Sequence, residues 1–134
     1  MVLKYERLPL EELNKLEEEF VKFLVVNGIT SDDWLSIKEN EPLNADKIVD
    51  QFSDVVWEGV LRKVSYLDKI EQDVSYFFKC NKEEIELVRI LSNEAKPVKQ
   101  NANKRYTKQR EVELFEMISS GCVISQGENF EKLI

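Results

Sequence analysis

The sequence predicts an α+β protein, in which three N-terminal helices precede a small antiparallel sheet based on a β-hairpin, followed by a basic loop and C-terminal helices. Two observations carry this prediction. Apolar residues recur at helical spacing from residue 10 to residue 67, and beyond residue 72 they alternate with a period of two, which is typical of strands. A chain of 134 residues has the length of one domain, so we expect a single domain over residues 1–134.

The first helix is predicted between Pro9 and Gly28. Proline suits the first turn of a helix, where no N–H donor is needed, and glycine is common just past a helix end. A Thr-x-x-Asp capping pattern then begins a second, short helix over residues 31–39. Asn44 can cap a third helix, which the apolar stripe extends to about residue 70.

The third helix carries acidic residues at every fourth position, namely Asp46, Asp50, Asp54 and Glu58. Like charges at this spacing destabilise a helix by a few tenths of a kcal/mol. We interpret the row as a solvated face rather than a Mg²⁺ or Ca²⁺ site, because a straight helix cannot wrap its carboxylates around an ion. Gly59 in the same helix costs about 1 kcal/mol relative to alanine, which indicates that another backbone approaches closely there.

The alternation after residue 72 predicts two strands joined by a polar turn at residues 81–84. A hairpin alone is marginally stable in water, so a third strand is needed, either from residues 2–7 or from a second copy of the chain. Phe77, Val88 and Ile90 would form an apolar second face of the sheet, which a helix or a second subunit must cover. These three residues are the candidate interface of a possible homodimer.

The segment of residues 92–106 has almost no apolar groups and no periodicity, so we interpret it as a mobile basic loop. Its cations stand out because residues 1–60 have a net charge of −8 and residues 61–134 a net charge of +1. Cations release counterions from a phosphate backbone and a tyrosine can stack on a base, so nucleic acid fits as a partner. The candidate contacts with nucleic acid or another acidic partner are Lys96, Lys99, Lys104, Arg105, Tyr106, Lys108 and Arg110. The alternative is a solvated loop beside the acidic N-terminal half of the same chain.

The residue types that many catalytic and metal sites need are scarce in this sequence. The chain has no histidine, 2 cysteines far apart and only 4 glycines. These counts exclude histidine-based triads and histidine-ligated metals, and they leave no Gly-rich phosphate loop. Cys80 and Cys122 are expected to be small, partly buried thiols. We expect no catalytic residue, no cofactor and no metal.

Two segments and the hairpin that follows them carry a resemblance to known proteins. Residues 19–38 read EFVKFLVVNGITSDDWLSIK and residues 52–70 read FSDVVWEGVLRKVSYLDKI. Together with the hairpin they resemble a family of small uncharacterised bacterial proteins, over about residues 1–91. The resemblance implies a stand-alone cytoplasmic domain. It implies no functional residue, because the family has no assigned activity.

The N-terminal sequence MVLKYERLPLEEL lacks the apolar run of a signal peptide, and no later stretch approaches the roughly 18 apolar residues of a membrane span. We therefore expect a soluble, cytoplasmic protein without a membrane partner. The observations favour a non-catalytic protein-interaction domain. The alternative is a nucleic-acid or ribosome-associated accessory factor that binds through the basic segment, residues 96–110.

Overall fold

The structure is a computed structural model that describes residues 3–92 and 95–134. Within these residues the chain forms helices and an antiparallel sheet, which confirms the α+β class. The helices are α1 (Leu10–Lys15), α2 (Glu17–Val26), α3 (Ser31–Asn40), α4 (Pro42–Lys63), α5 (Arg110–Ser119) and α6 (Glu128–Leu133). The strands are β1 (Tyr66–Ile70), β2 (Val74–Cys80), β3 (Glu84–Leu91), β4 (Val98–Arg105) and β5 (Val123–Ser125). The chain divides into two compact units, residues 1–59 and 60–134, and the single domain stays a prediction.

An aromatic cluster forms part of the core of the first unit. The centroid of the Phe20 ring lies 5.1 Å from that of Trp34 and 5.0 Å from that of Phe52, and both contacts are edge to face. The Phe23 ring lies 5.5 Å from Phe52. Such aromatic pairs stabilise a fold by about 0.5–1.5 kcal/mol beyond the burial of their area. The helical spacing of these residues therefore identified true packing positions.

The first predicted helix is in fact two helices, α1 and α2, which meet at Leu16. This residue leaves the helical conformation, with φ −105° and ψ 25°, and its N–H bonds the carbonyl of Leu13 in a tightened turn. The second predicted helix is confirmed as α3. Thr30 and Asp33 form its capping box, each side chain accepting a 3.1 Å hydrogen bond from the backbone N–H of the other.

The acidic row of α4 binds the N-terminal segment of the first unit. Asp54 accepts hydrogen bonds from the backbone N–H groups of Lys4 (2.8 Å) and Tyr5 (3.0 Å). The Nε of Arg7 donates to Asp50 Oδ1 at 2.6 Å. These donors offset the like-charge repulsion along the helix, so the interpretation of the row as a solvated face is wrong for these two aspartates.

The second unit holds a sheet with the strand order β4-β3-β2-β1-β5, in which every neighbouring pair is antiparallel. The predicted hairpin is confirmed as β2 and β3. The third helix ends at Lys63 and not near residue 70, because the residues that follow form β1. The strand predicted at residues 2–7 is wrong, since residues 3–7 contain no strand and Val2 lies outside the described residues. The other strands come from the same chain, so the sheet needs no second copy.

The strand β4 occupies most of the segment that was predicted to be a loop, residues 92–106. All eight of its residues are exposed, so neither of its faces is apolar and the sequence shows no alternation. It nevertheless pairs with β3 along its whole length. The loop prediction is therefore wrong for β4, while residues 93 and 94 lie outside the described residues.

The helix α6 covers one face of the sheet. Phe130 of α6 packs against Phe77 and Val88, and these three side chains are 1%, 7% and 1% exposed. Ile90 and Leu133 are partly buried against the same cluster. The three residues of the candidate dimer interface thus pack against a helix of their own chain, and the apolar face is already covered.

Two glycines differ sharply in what surrounds them. Gly127, at the start of α6, has a φ of +86°, and a Cβ there would lie 2.6 Å from the Tyr66 ring. The hydroxyl of that tyrosine donates to Glu131 Oε1 at 2.5 Å, so the ring has a fixed place against α6. A Cβ at Gly59 would meet no atom within 4 Å, so the close backbone approach expected there is wrong.

Candidate functional site

The strand β4 forms one edge of the sheet in the second unit. It pairs with β3 along one side, and no strand of the described residues pairs with its other side. An edge strand presents a row of unpaired N–H and C=O groups, which is a template for pairing with another chain. Because every residue of β4 is exposed, this row is open to a partner.

The hydrogen-bond pattern identifies the residues of β4 that face the free edge. The N–H of Asn81 bonds the C=O of Glu84 (3.0 Å) and the N–H of Ser92 bonds the C=O of Asp73 (2.9 Å), at the two ends of the β2–β3 ladder. Bonded pairs alternate in an antiparallel ladder, so the even-numbered residues of β3 bond β2 and its odd-numbered residues bond β4. By the β3–β4 register, the even-numbered residues of β4 bond β3. The backbone groups that face the free edge belong to Lys99, Asn101, Asn103 and Arg105.

The strand β4 carries three cations and no acid, and two of its cations form ion pairs. Lys104 Nζ lies 3.1 Å from Glu113 Oε1, and the Arg105 guanidinium lies 3.3 Å from Glu83 Oε2. The Arg105–Glu83 pair is exposed at both ends, 78% and 73%, so it contributes only about 0–1 kcal/mol. Strand alternation places Lys99 and Arg105 on one face and Lys104 on the other, so the three cations do not form one patch.

Arg110 and Tyr106, which were predicted to contact nucleic acid, hold the second unit together. Arg110 is only 15% exposed. Its guanidinium donates to four backbone carbonyls, those of Leu61 (3.1 Å), Val64, Cys80 (3.0 Å) and Asn81 (3.0 Å). The hydroxyl of Tyr106 donates to the carbonyl of Asn81 at 2.9 Å. Both side chains therefore use their polar groups within the fold, and Tyr106 also lines the pocket between α5 and the sheet.

The remaining predicted contact residues are exposed. Lys108 Nζ lies 2.5 Å from Glu116 Oε1, and Lys99 Nζ donates to the carbonyl of Leu133. Lys96 precedes β4 on the exposed surface. Of the seven predicted contact residues, only Lys99, Lys104 and Arg105 therefore lie on the edge strand β4.

An apolar pocket of about 410 Å³ lies between α5 and the sheet. Phe78, Leu87 and Ala102 line it from three neighbouring strands, and Met117 lines it from α5. Phe78 follows Phe77 on β2, so strand alternation places this pocket on the face opposite α6. Its volume and its apolar lining are typical of ligand-binding pockets.

Glu113 lines this pocket as an ionised carboxylate. Burial by itself raises its pKa, but the hydrogen bonds from Lys104 Nζ (3.1 Å) and from the backbone N–H of Lys108 (3.2 Å) outweigh burial and hold the pKa below its usual value. A general base needs a pKa near the working pH, and these hydrogen bonds move the pKa of Glu113 further below that range. Glu113 is therefore a charged border of the pocket rather than a base.

The two thiols are also poor nucleophiles and poor metal ligands. Burial raises the pKa of the Cys80 thiol to about 12 and raises that of Cys122 as well. The thiolate is the nucleophile and the metal ligand, and both groups are protonated at neutral pH. Across residues 3–92 and 95–134, no group of three or more acidic or thiol side chains could hold a metal ion.

Sequence reasoning missed both the free edge and the pocket. Ala102 carries the only signal for them, as a small apolar residue inside a polar stretch. Ala102 lines the pocket because it pairs with Leu87 on the neighbouring strand, and the sequence does not reveal this pairing.

The fold and the site define an α+β protein whose sheet offers an exposed edge strand beside an apolar pocket. The chain belongs to the family of unknown function DUF6495, since the family model matches residues 1–99 and 92–134, which together span the chain. The resemblance to a family of uncharacterised proteins is thereby confirmed, and it extends past residue 91. Comparisons with curated proteins and with solved structures gave no match. In the part of the chain that the structure describes, no helix is both long and apolar enough to cross a membrane.

Proposed function

We propose that this protein is a non-catalytic protein-interaction domain, which binds an extended segment of a partner protein along the free edge of β4. The observation that carries the proposal is that all eight residues of this edge strand are exposed. In β-strand addition, backbone hydrogen bonds supply affinity and alternate side chains supply specificity. The outward N–H and C=O groups of Asn101 and Asn103 lie at the centre of such a ladder.

A second copy of the chain fits this edge poorly. Pairing β4 with itself brings six cations and no acid into one two-stranded ribbon. In the register centred on Ala102, Lys99 lies directly opposite Arg105 twice, and like charges in direct opposition are destabilising. A homodimer was predicted because the sheet had too few strands and an uncovered apolar face. One chain supplies both the further strands and the helix that covers that face.

Nucleic acid, the alternative partner, also has less support than an extended peptide. A phosphate backbone needs several cations that face one way. Arg110 and Tyr106 are engaged in the fold, and the cations of β4 point to both faces of the sheet. An added strand needs only the backbone edge.

Selection of random nonapeptides displayed on phage tests the proposal. Asn101→Pro removes an outward N–H and leaves the β3 ladder intact, because the backbone groups of that residue face the free edge. We expect the wild-type protein to enrich peptides that bind Asn101→Pro at least tenfold more weakly. Asn101→Ala, which keeps the N–H, should bind the same peptides more tightly than the proline variant.

Two outcomes contradict the proposed function. One is that no peptide is enriched over a control selection without protein. The other is that the enriched peptides bind wild type and Asn101→Pro equally well, while urea unfolding shows that both proteins are folded.

A further inference from the structure

We propose that the partner segment is acidic and that it carries one bulky apolar side chain, which enters the pocket between α5 and the sheet. This inference rests on the proposed function and specifies the chemistry of the partner. Three features of the second unit carry it: the position of Ala102, the lining of the pocket and the places of the cations on β4.

Ala102 connects the free edge to the pocket. It is an even-numbered residue of β4, so in an antiparallel pairing a partner residue directly opposite it belongs to a non-hydrogen-bonded pair, in which side chains approach most closely. It also lines the pocket, together with its register partner Leu87 on β3. Its side chain is a single methyl group, so a long side chain from the partner strand can pass over it into the pocket.

The pocket accepts an apolar side chain better than a polar one. Its apolar lining includes Phe78, Ile85 and Leu87 from the sheet and Met117 from α5, and the charged groups of Lys104 and Glu113 in its lining are paired with each other at 3.1 Å. Its volume of about 410 Å³ is enough for a phenylalanine or leucine side chain. Burial of such a side chain lowers a dissociation constant by about ten- to a hundredfold.

The cations of β4 flank this position symmetrically. Lys99 and Arg105 lie three residues before and after Ala102, on the opposite face of the sheet. Arg105 is paired with Glu83 and Lys99 donates to the carbonyl of Leu133, both in exposed contacts that a carboxylate of the partner can replace. The partner segment therefore has an acidic residue three positions from its apolar residue, on both sides, whether it runs parallel or antiparallel to β4.

A synthetic peptide with this pattern tests the inference. The probe is the fluorescein-labelled nonapeptide Thr-Glu-Thr-Thr-Phe-Thr-Thr-Glu-Thr, and its binding is followed by fluorescence anisotropy. We expect saturable binding that weakens at least tenfold when the central Phe is replaced by Ala, and also when both Glu are replaced by Lys. Added salt should weaken binding of the Glu peptide.

Protein variants assign the effect to the pocket. Ala102→Leu places a branched side chain at the pocket entrance, so we expect it to bind the Phe and Ala peptides with the same affinity. Ala95→Leu makes the same chemical change on an exposed residue outside β4, and it should keep the preference for the Phe peptide. Urea unfolding of each variant establishes that it is folded.

The outcomes separate this inference from the proposed function. If phage selection yields peptides that depend on the free edge but the designed peptide does not bind, or if binding is indifferent to Phe and Glu, the inference is overturned and the proposed function stands. A dimer in light scattering that Asn101→Pro abolishes would identify a second copy as the occupant and overturn the inference. If no peptide depends on the edge, the proposed function itself fails.

Discussion

Arg110 is the residue whose removal should damage the second unit most directly. Its guanidinium donates to four backbone carbonyls, and its side chain is 15% exposed. Arg110→Ala leaves these carbonyls without their donor, and we expect the free energy of unfolding in urea to fall by about 3 kcal/mol. Arg110→Lys keeps the charge but not the planar fork of donors, and should recover only part of that loss.

Lys108 provides the matched control for this prediction. It is a nearby cation whose ion pair with Glu116 is exposed at both ends. Lys108→Ala should change the free energy of unfolding by less than about 1 kcal/mol. If both alanine variants lose the same stability, the carbonyl cluster around Arg110 does not hold the fold.

Cys80 makes stability depend on alkaline pH. Burial raises its pKa to about 12, whereas the unfolded thiol has a pKa of about 8.5. Above about pH 8.5 the unfolded chain therefore binds fewer protons than the native chain, so the free energy of unfolding falls as pH rises. Urea unfolding between about pH 8 and pH 10 should show this decline, and Cys80→Ala should make it shallower, leaving the contribution of Cys122. Equal slopes for the two proteins would contradict the prediction.

These residues also show where sequence reasoning stops. The sequence reports that Arg110 is positively charged, and the expected burial of the two thiols is confirmed, since Cys80 is 5% and Cys122 7% exposed. Charge alone does not distinguish a cation that faces solvent from one that donates hydrogen bonds to backbone carbonyls of α4, β2 and the turn after β2. The roles of Arg110 and Tyr106 therefore depend on which ends of helices and strands meet in the fold, and the sequence does not show this.

The elements that the sequence predicted are those whose apolar side chains are at least half-buried at regular spacing. The helix α3 half-buries Trp34 and Ile37, which are three residues apart, and the hairpin of β2 and β3 buries Phe77, Ile85 and Val88, so their patterns are visible. β4 buries neither face and shows no pattern, although backbone pairing with β3 makes it a strand. β1 was assigned to the preceding helix because Val64 and Leu67 keep a helical spacing across the end of α4. Its pairing with β2 decides its conformation.

The two glycines described above predict opposite effects of the same substitution. Gly127→Ala forces a Cβ into the Tyr66 ring at a φ of +86°, so we expect the free energy of unfolding to fall by about 1–3 kcal/mol. The Cβ of Gly59→Ala would have no neighbouring atom within 4 Å, and alanine is the better helix former. We therefore expect the free energy of unfolding to rise by about 0.5–1 kcal/mol. Urea unfolding of both variants checks the pair. A loss of stability in Gly59→Ala would mean that a close packing partner exists after all.

The distribution of charge over the whole chain separates peptide binding from nucleic-acid binding. The net charge is −7 at pH 7, and the half that contains β4 has a net charge of only +1. A polyanion binds through several cations that lie close together, whereas the proposed acidic peptide needs only the cations of one strand edge. This low net charge therefore favours the proposed short acidic segment over a long polyanion as the partner.

This charge balance predicts that the protein does not bind RNA at physiological ionic strength. A fluorescein-labelled single-stranded RNA should show no saturable anisotropy change at about 0.15 M salt, because the few cations on each face of β4 displace few counterions from the phosphates. Urea unfolding of the same preparation establishes that the protein is folded, and the acidic nonapeptide is expected to bind in the same buffer. Micromolar RNA binding that falls steeply with salt, and that disappears when Lys99 and Lys104 are changed to alanine, would contradict this prediction. It would also show that the cations of β4 serve a phosphate backbone rather than the carboxylates of an added strand.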